Sequence, residues 1–183
     1  TVTLKNGEQL MADKIVIATE APSLHEILPT TSVKRSIAET CIYFYTNLKP
    51  PVKTPFLILN GENKGPINNV AFPSMVSSNY APAGKILISV VVLGEEWQDN
   101  NDIVELVQAQ CQQWFGESVE NWSHLKTYKI DHALPDQSPP IANPYAPLDP
   151  KDENIISCGE HGGVPGLLWA MMSGRKAAEH ILN

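Results

Sequence analysis

The sequence predicts an α/β fold into which an α+β subdomain is inserted, and three features of the chain support this prediction. Near the start, residues 15–18 form a continuous apolar run of the kind found in buried strands of parallel sheets. In the middle, segments rich in β-branched and aromatic residues are separated by proline-containing loops, which is typical of an antiparallel sheet. At the end, an apolar strand over 154–158 leads through a glycine-dense turn over 159–166 into a helix that begins at Leu167.

The composition is that of a globular protein and excludes several classes of function. The chain has 183 residues, of which 43% are hydrophobic and 18% are charged, so it can bury a sizeable core. The net charge of -7 argues against a surface that binds nucleic acid. No apolar run reaches the ~18 residues that a membrane-spanning helix requires. The three cysteines lie far apart in the sequence, which favours reduced core residues and a cytoplasmic protein.

The start of the chain predicts a hairpin, a buried strand and a short helix. Residues 1–4 are already strand-like, without an initiator Met or a signal peptide, so we expect this chain to be the C-terminal part of a longer protein. Asn6-Gly7 predicts a type I′ turn between two strands. The buried strand over 15–18 ends in small residues, where a ligand can lie against its carboxyl end. Ser23 is predicted to cap a helix over 24–28.

The middle of the chain predicts antiparallel strands and one amphipathic helix. Strands are expected over 40–46, 56–59, 69–72, 86–93 and 124–130. The last of these is expected to alternate between buried and exposed residues, as in a half-buried strand. The helix is predicted to begin after Asn101 or Asp102 and to end before Gly116, with six residues on its buried face. These six are Ile103, Leu106, Val107, Gln110, Cys111 and Trp114.

A proline-rich connection over 133–147 is expected to return the chain to the domain in which it started. We therefore predict that residues 1–31 and 132–183 belong to one domain, which would bind a cofactor. Residues 32–131 would form the inserted, substrate-binding subdomain of mixed antiparallel sheet and helix.

The glycine-dense turn near the end of the chain predicts a cofactor site. Glycines let the backbone approach a ligand closely, and the free amides at the start of a helix can donate to it. The carboxylate of Glu160 can accept hydrogen bonds from ribityl or ribose hydroxyl groups. The predicted cofactor-binding residues are Ala18, Thr19, Gly159, Glu160, Gly166, Leu167 and Leu168. A plain turn with a solvated Glu160 carboxylate is the alternative that the sequence leaves open.

The order of these segments, with the residues of the end motif, resembles the C-terminal half of two-domain FAD-dependent oxidoreductases with a Rossmann-like flavin domain. The family is that of the flavin-containing amine oxidases, with protoporphyrinogen oxidases and phytoene-desaturase-type enzymes as relatives. The resemblance is carried by Ala18, Thr19, Cys158, Gly159, Glu160, Gly166, Ala170, Ser173, Gly174, Ala177 and Ala178. It implies that Glu160 lies by the ribityl and pyrophosphate part of FAD. Residues 166–168 would then lie by the polar end of the isoalloxazine ring.

Three departures from the family pattern limit the resemblance. No G-x-G-x-x-G loop is present, so we expect this pyrophosphate-binding loop in the N-terminal half and expect the isolated piece to be inactive. Thr40 stands where many amine oxidases carry a lysine near flavin N5. The loop over 162–166 lacks the amine oxidases' aromatic residue and is more similar to that of carotene desaturases and isomerases. The last two departures weaken the assignment to amine oxidases more than the assignment to flavoproteins.

Aromatic residues are predicted to line the substrate cavity. Tyr43 and Tyr45 lie two residues apart on one predicted strand, and Trp169 lies beside the predicted flavin end of the last helix. Packing of the tyrosines within the sheet and of Trp169 in the core are the alternatives that the sequence leaves open. His124 and His132 lack partners at ligand spacing, so no metal site is predicted. No catalytic side chain is assigned, because the sequence has no nucleophile motif and a flavin carries out the redox chemistry itself.

The resemblance implies an FAD-dependent oxidoreductase that moves a hydride from an amine, a porphyrinogen or a polyene to flavin N5. Its expected partners are this small organic substrate and the N-terminal half of the same protein, with no nucleic acid. An apolar substrate would favour peripheral association with a membrane, and apolar surface at the interface with the missing half would favour homo-oligomers. Two alternatives are an enzyme that uses NAD in place of FAD, and a non-catalytic α/β binding or interaction module.

Overall fold

The computed structural model describes residues 1–29, 36–139 and 153–182, and these residues divide into two compact units. The first unit comprises the described residues of Thr1–Ser36 and Pro135–Asn183, and the second unit is Ile37–Leu134. The domain boundaries predicted from the sequence, after residues 31 and 131, differ from these limits by a few residues. The predicted proline-rich connection lies partly outside the described residues, and the binding roles assigned to the two units stay predictions.

The described residues contain nine strands and four α-helices, with short 3₁₀ turns after α2, β7, α3 and β9. In chain order they are β1 (Val2–Thr3), β2 (Gln9–Leu10), β3 (Ile15–Ile17), α1 (Ala21–Ile27), β4 (Ser36–Thr46), β5 (Ile58–Leu59), β6 (Ile67–Ala71), α2 (Pro73–Val76), β7 (Ile86–Leu93), α3 (Ile103–Phe115), β8 (Ser123–Pro135), β9 (Ile155–Ser157) and α4 (Leu167–Leu182).

The first unit begins with a hairpin in which β1 and β2 pair antiparallel. The predicted type I′ turn is wrong, because such a turn needs a positive φ at both central residues and Asn6 does not have one. Instead, the Gly7 amide donates to the Leu4 carbonyl (2.9 Å), and Gly7 takes the left-handed conformation with a φ of 86°. This pattern matches the three-residue hairpin loop that closes on a glycine bulge.

The parallel pair β3–β9 connects the two ends of the chain. Ile15 aligns with Ile155, which confirms that the early apolar strand belongs to a parallel sheet. Ile17 and Ile156 are buried, whereas Val16 is 43% exposed. The expectation that the early strand is buried on both faces is therefore wrong for the described residues. The reason is that α4 packs on Ile156 of the neighbouring strand and does not cover Val16.

The first unit also contains two helices. The predicted N-cap Ser23 lies inside α1, which already has Pro22 in its first turn, where the missing proline amide needs no acceptor. α4 buries Trp169, Ser173 and Ala177, which are spaced four residues apart and so share one side of the helix. Ala177 joins the small core around β9, so this side of α4 holds the helix against the parallel pair.

The second unit is built on a five-stranded sheet with the strand order β5-β6-β7-β4-β8. The pairings β4–β7, β5–β6 and β6–β7 are antiparallel, which confirms the predicted antiparallel sheet. The β7 limits agree with the prediction, whereas β4 begins at Ser36 rather than at residue 40. Apart from its terminal residues Ser36 and Pro135, this sheet lies within the second unit.

One face of this sheet and the helix α3 enclose the main hydrophobic core. Alternate residues of β4 and β7 contribute to it, and α3 adds three of the six residues predicted for its buried face. The buried members are Ile42, Phe44, Ile67, Val70, Phe72, Ile88, Val90, Val92, Ile103, Val107, Cys111, Val119 and Trp122. Of the remaining predicted residues, Leu106 is 41% exposed and lies outside the core.

β8 lies at the edge of the sheet, and this position determines its burial. The strand contains the predicted one over 124–130 and continues to Pro135, but most of its residues are exposed. The predicted alternation of buried and exposed residues is therefore wrong, because an edge strand has a neighbour on one side only. His124 contacts Phe44, and Tyr128 contacts Tyr43, each with ring centroids 6.0 Å apart.

The other face of the sheet carries polar aromatic side chains. It is formed by Cys41, Tyr43 and Tyr45 of β4 with Leu87 and Ser89 of β7, and we call it the tyrosine face. Tyr43 stands opposite Ser89 and Tyr45 opposite Leu87 in the antiparallel register. Both tyrosines are half-buried, so their rings remain partly accessible.

Candidate functional site

The carboxyl ends of β3 and β9 lie side by side and bring two predicted cofactor segments together. Cys158 donates its backbone amide to the carbonyl of Ile17 (3.0 Å), so Thr19 and Gly159 follow the two strands at the same edge. A Cβ added at Gly159 would lie 3.6 Å from the Thr19 carbonyl oxygen and 2.7 Å from His161 Nδ1. The carboxyl edge of parallel strands is where α/β proteins commonly bind ligands.

Gly159 is required at this edge for two reasons. Its φ of 150° is strained for any residue with a Cβ, and the space that a side chain would need is taken by the His161 ring. The Gly159 amide donates to Ser173 Oγ of α4 at 2.6 Å. At Gly159 the turn is thus held against the helix by a hydrogen bond.

Glu160 closes the following loop across the start of α4. Its Oε2 accepts a hydrogen bond from the Gly166 amide (3.0 Å), and its carbonyl accepts one from the Gly163 amide (3.0 Å). The carboxylate therefore lies at the positive end of the helix dipole. The amides of Leu167 and Leu168 belong to the first turn, where a helix offers no internal acceptor. Their side chains are 86% and 72% exposed.

The hydroxyl of Thr19 has an unusual environment. Its Oγ1 is buried and has no hydrogen-bond partner among the described residues. Burial of a hydroxyl without a partner costs about 1–3 kcal/mol. A bound molecule or an ordered water is the expected partner. Thr19 follows the end of β3 and precedes Glu20, the exposed residue before α1. Ala18, also predicted as a cofactor contact, is exposed at the same edge.

Trp169 lies under the glycine loop. Its side chain is 8% exposed, and its indole contacts Gly163 so closely that a Cβ there would overlap the ring. The Lys176 ammonium lies over the indole, 5.1 Å from the ring centroid. This placement gives Trp169 a supporting role beneath the loop and leaves little of its surface for the predicted contact with substrate.

Tyr43 lies in a small polar cluster on the tyrosine face. Cys41 Sγ is 3.6 Å from Ser89 Oγ, and the Tyr43 ring meets the Tyr128 ring edge-on at 86°. The pKa of the Tyr43 hydroxyl is raised, mainly by the hydrogen bond of Tyr43 with Cys41 and then by the partial burial of Tyr43. The Tyr43 hydroxyl therefore stays protonated and can act as a hydrogen-bond donor over the whole physiological range.

Tyr45 borders a cavity of the second unit. The cavity has a volume of about 300 Å³. It is lined by Tyr45, Tyr80, Ala81, Pro82, Lys85, Leu87 and Leu125. The Lys85 ammonium lies 4.7 Å from the centroid of the Tyr45 ring. The structure thus places Tyr45, one of the residues predicted to bind substrate, at a cavity.

The described residues contain no metal-binding group and no membrane-crossing helix. Across residues 1–29, 36–139 and 153–182, His, Cys, Asp and Glu side chains form no group of three or more that could hold a metal ion. His124 Nε2 instead makes a hydrogen bond with Thr127 Oγ1 (2.9 Å). None of the helices in these ranges combines the length and apolarity that crossing a membrane demands.

Comparison with known families identifies the chain as a whole. Residues 1–182 match the family of flavin containing amine oxidoreductases. This chain belongs to that family. The match includes both compact units, and it confirms the resemblance found in the strand–turn–helix motif at the end of the sequence. No curated protein matches the sequence.

Several solved structures share the fold of this family member. Reduced UDP-galactopyranose mutase aligns with a TM-score of 0.68 and 16% identity over 98% of this chain and 43% of its own. A putative protoporphyrinogen oxidase from Exiguobacterium sp. 255-15 aligns with a TM-score of 0.64 and 11% identity, over 94% of this chain and 42% of its own. A protein from Pyrococcus furiosus aligns with a TM-score of 0.63 and 11% identity, over 97% of this chain and 43% of its own. The chain thus spans about two fifths of the length of these structures.

Two residues of this chain that contribute to the candidate sites were missed by sequence reasoning. Ser173 was noted only as part of the motif, although a polar residue on the buried side of a helix signals a hydrogen bond. Lys85 follows a tight turn in which its amide donates to the Pro82 carbonyl (3.0 Å). The position of Lys85 in the sequence, just before β7, did not indicate a binding site, because the cavity beside Lys85 forms only in the folded sheet.

Proposed function

We propose that the complete protein is an FAD-dependent oxidoreductase that moves a hydride from a C–H or C–N bond of an organic substrate to the flavin. Membership of the flavin containing amine oxidoreductases supports this proposal for the chain as a whole. The observation that carries it within the structure is the meeting of Thr19 and Gly159 at the carboxyl edge of β3 and β9, beside the start of α4.

The residues at this edge fit a flavin. The buried Thr19 hydroxyl lacks a partner among the described residues and can donate to a ligand. Gly159 adds no side chain of its own to the edge, against which the His161 ring lies. When bound there, a flavin would supply hydride acceptance, and it carries polar groups along both its ring and its ribityl chain. These features match the polar, close-backbone environment that the turn offers.

Each predicted cofactor residue then has a role that its own chemistry allows. The first-turn amides of Leu167 and Leu168 would stabilise negative charge on the polar edge of the ring, with help from the helix dipole. Glu160 would accept hydrogen bonds from ribityl hydroxyl groups through the carboxylate oxygen that Gly166 leaves free. Ala18 and Gly166 would allow close approach because both are small.

The complete protein would contain an N-terminal part that supplies the dinucleotide-binding loop and completes a Rossmann-like flavin domain. The low coverage of the similar solved structures, 42–43% of their length, supports this part of the proposal. The chain as printed would then bind FAD weakly and would be inactive by itself. Residues 1–31 and 132–183 would join the flavin domain, and residues 32–131 would bind the substrate.

The substrate would be a small organic molecule that contacts the tyrosine face. Tyr43 supplies a protonated hydroxyl and Tyr45 borders a cavity, so both can contact substrate directly. Thr40, which stands where amine oxidases often have a lysine, is fully buried in β4. A polyene or porphyrinogen is therefore as suitable as an amine, and an apolar substrate would bring the protein to a membrane surface.

A second candidate is a non-catalytic binding or interaction module. It is favoured by one observation: the Glu160 carboxylate already accepts a hydrogen bond from the Gly166 amide within the turn and does not need a ligand for that bond. The visible absorption spectrum of the complete, purified protein separates the two candidates.

A flavin spectrum that bleaches on anaerobic addition of an amine, a porphyrinogen or a polyene would establish the oxidoreductase and its substrate class. A colourless protein that takes up no added FAD, although it is folded by circular dichroism, would overturn the proposal and leave the binding module. A protein that takes up NAD and no FAD would support the nucleotide-dependent alternative instead.

A further inference from the structure

The cavity beside Tyr45 has the properties of a ligand site in its own right. All of its lining residues belong to the second unit, so it does not depend on how that unit is joined to the rest of the protein. Its volume of about 300 Å³ is at the lower end of the range for small-molecule sites. It corresponds to the volume of about ten water molecules, which is enough for one aromatic ring with a short chain.

The lining combines an apolar wall with a few polar side chains. Ala81, Pro82, Leu87 and Leu125 supply the apolar wall, and the lining set contains no carboxylate. The polar side-chain groups of the lining are the phenol hydroxyls of the two tyrosines and one lysine ammonium. This is the usual composition of a site that buries an apolar body and orients a single polar end.

Lys85 is the charged group of the cavity. It is half-buried, and in the part of the chain that the structure describes its ammonium forms no ion pair with a carboxylate. Its contact is with the face of the Tyr45 ring, 4.7 Å away, which holds the ammonium beside the apolar wall. In a chain of net charge -7, a cation held in this way without an acidic partner leaves a positive charge to be matched by a ligand.

We propose that this cavity binds amphipathic carboxylates, with the apolar part of the ligand against Leu87 and Leu125 and its carboxylate paired with Lys85. The hydroxyls of Tyr45 and Tyr80 can donate further hydrogen bonds to the same carboxylate, because a phenol O–H is a hydrogen-bond donor. A lysine paired with a carboxylate beside an apolar wall favours anionic over neutral or cationic ligands with the same body.

If the ligand of this cavity is the substrate, that role rests on the flavin-dependent function proposed above, whereas binding itself does not. Binding is therefore tested directly by calorimetry, and flavin content is read separately from the visible spectrum. If calorimetry detects no binding, the flavin content still tests the proposed function, and if no flavin is found, calorimetry still tests ligand binding.

The test compares three probes that share one body, namely 3-phenylpropionate, 3-phenylpropanol and 3-phenylpropylamine, titrated into the complete protein. We expect the carboxylate to bind about tenfold more tightly than the alcohol and the amine to bind most weakly. Lys85→Met keeps the length of the side chain and removes the charge, so it should abolish the preference for the carboxylate while leaving the alcohol unchanged. Lys53→Met removes a charge from an exposed position of the same unit and should change neither affinity.

Two further measurements keep the proposal falsifiable if Lys85→Met is poorly folded. Lys85→Arg should retain the preference for the carboxylate, and raised salt should weaken carboxylate binding without affecting the alcohol. Equal affinities for the three probes would overturn the proposal, and so would a carboxylate preference that survives Lys85→Met. Filling the cavity with Ala81→Leu should weaken all three probes, and undiminished binding there would place the ligand elsewhere.

Discussion

The backbone amide of Gly159 donates a hydrogen bond to the side-chain oxygen of Ser173 at 2.6 Å, and this bond joins the end of β9 to the middle of α4. Ser173 is buried, so water cannot replace the bond if the hydroxyl is removed. Ser173, a residue of the end motif, therefore stabilises the structure of the candidate flavin edge.

Ser173→Ala should lower the free energy of unfolding by about 1–3 kcal/mol, because it leaves a poorly solvated amide without an acceptor. Urea denaturation of the complete protein measures the change. Ser138→Ala, at an exposed serine, serves as the control and should have little effect. A Ser173→Ala protein as stable as the parent would show that the amide finds another acceptor.

Thr19→Val should have opposite effects on stability and on flavin binding. Without flavin, the isosteric change removes a buried hydroxyl that has no partner among the described residues, so stability should stay the same or rise by about 1 kcal/mol. With flavin, the loss of the hydroxyl should weaken binding about tenfold. Thermal unfolding and flavin titration measure the two effects. A marked loss of stability in the flavin-free protein would argue that the hydroxyl is bonded within the protein.

Gly159→Ala should destabilise the protein by about 1–3 kcal/mol through its backbone conformation. The new Cβ would also press on the His161 ring, 2.7 Å away. Adding His161→Ala removes the second effect and leaves the first, so the double variant should recover only part of the lost stability. Full recovery would mean that the φ of 150° carries no strain.

Leu167→Pro tests the role proposed for the helix amides. Proline is tolerated at the first helical position, so the variant should fold normally while losing one amide donor. Flavin affinity should fall about tenfold, whereas Leu167→Ala, which keeps the amide, should bind flavin like the parent. Equal flavin affinity of the two variants would remove Leu167 from the proposed site.

Cys111 provides a dependence of stability on pH. Burial raises the pKa of its thiol from 9.0 to about 12, so the folded protein holds the proton more tightly than the unfolded chain. The resulting stability is fully present below pH 9 and is lost as the pH rises from 9 to about 12. Other groups also titrate there, so the comparison is with Cys111→Ala, whose stability should fall less steeply over that interval. Parallel decline of the two proteins in urea denaturation would contradict the shift.

The sequence predicted those elements whose pattern is set by a local partner. The strand β7 and the helix α3 were located because alternation and helical spacing reflect a single covered face. The burial of Val16 and of β8 was mispredicted, because burial at the edge of a sheet depends on distant neighbours that local alternation does not encode. The meeting of Thr19 with Gly159 followed from the motif, whereas the cavity at Lys85 arises from three separate segments and left no pattern in the sequence.

The pairing of β3 with β9 also constrains the order in which the protein can fold. About 140 residues separate the two strands, and closing so long a loop carries an entropic cost that rises with its length. Gln98 donates to the carbonyls of both Glu39 and Ile130, which holds the start of β4 near the end of β8. Once the second unit has folded, the open loop shrinks to about 40 residues, and closure becomes easier by about 1 kcal/mol. On the ribosome, β3 emerges before its partner β9, so we expect the inserted unit to fold first and to bring the two halves of the candidate flavin edge within reach of each other.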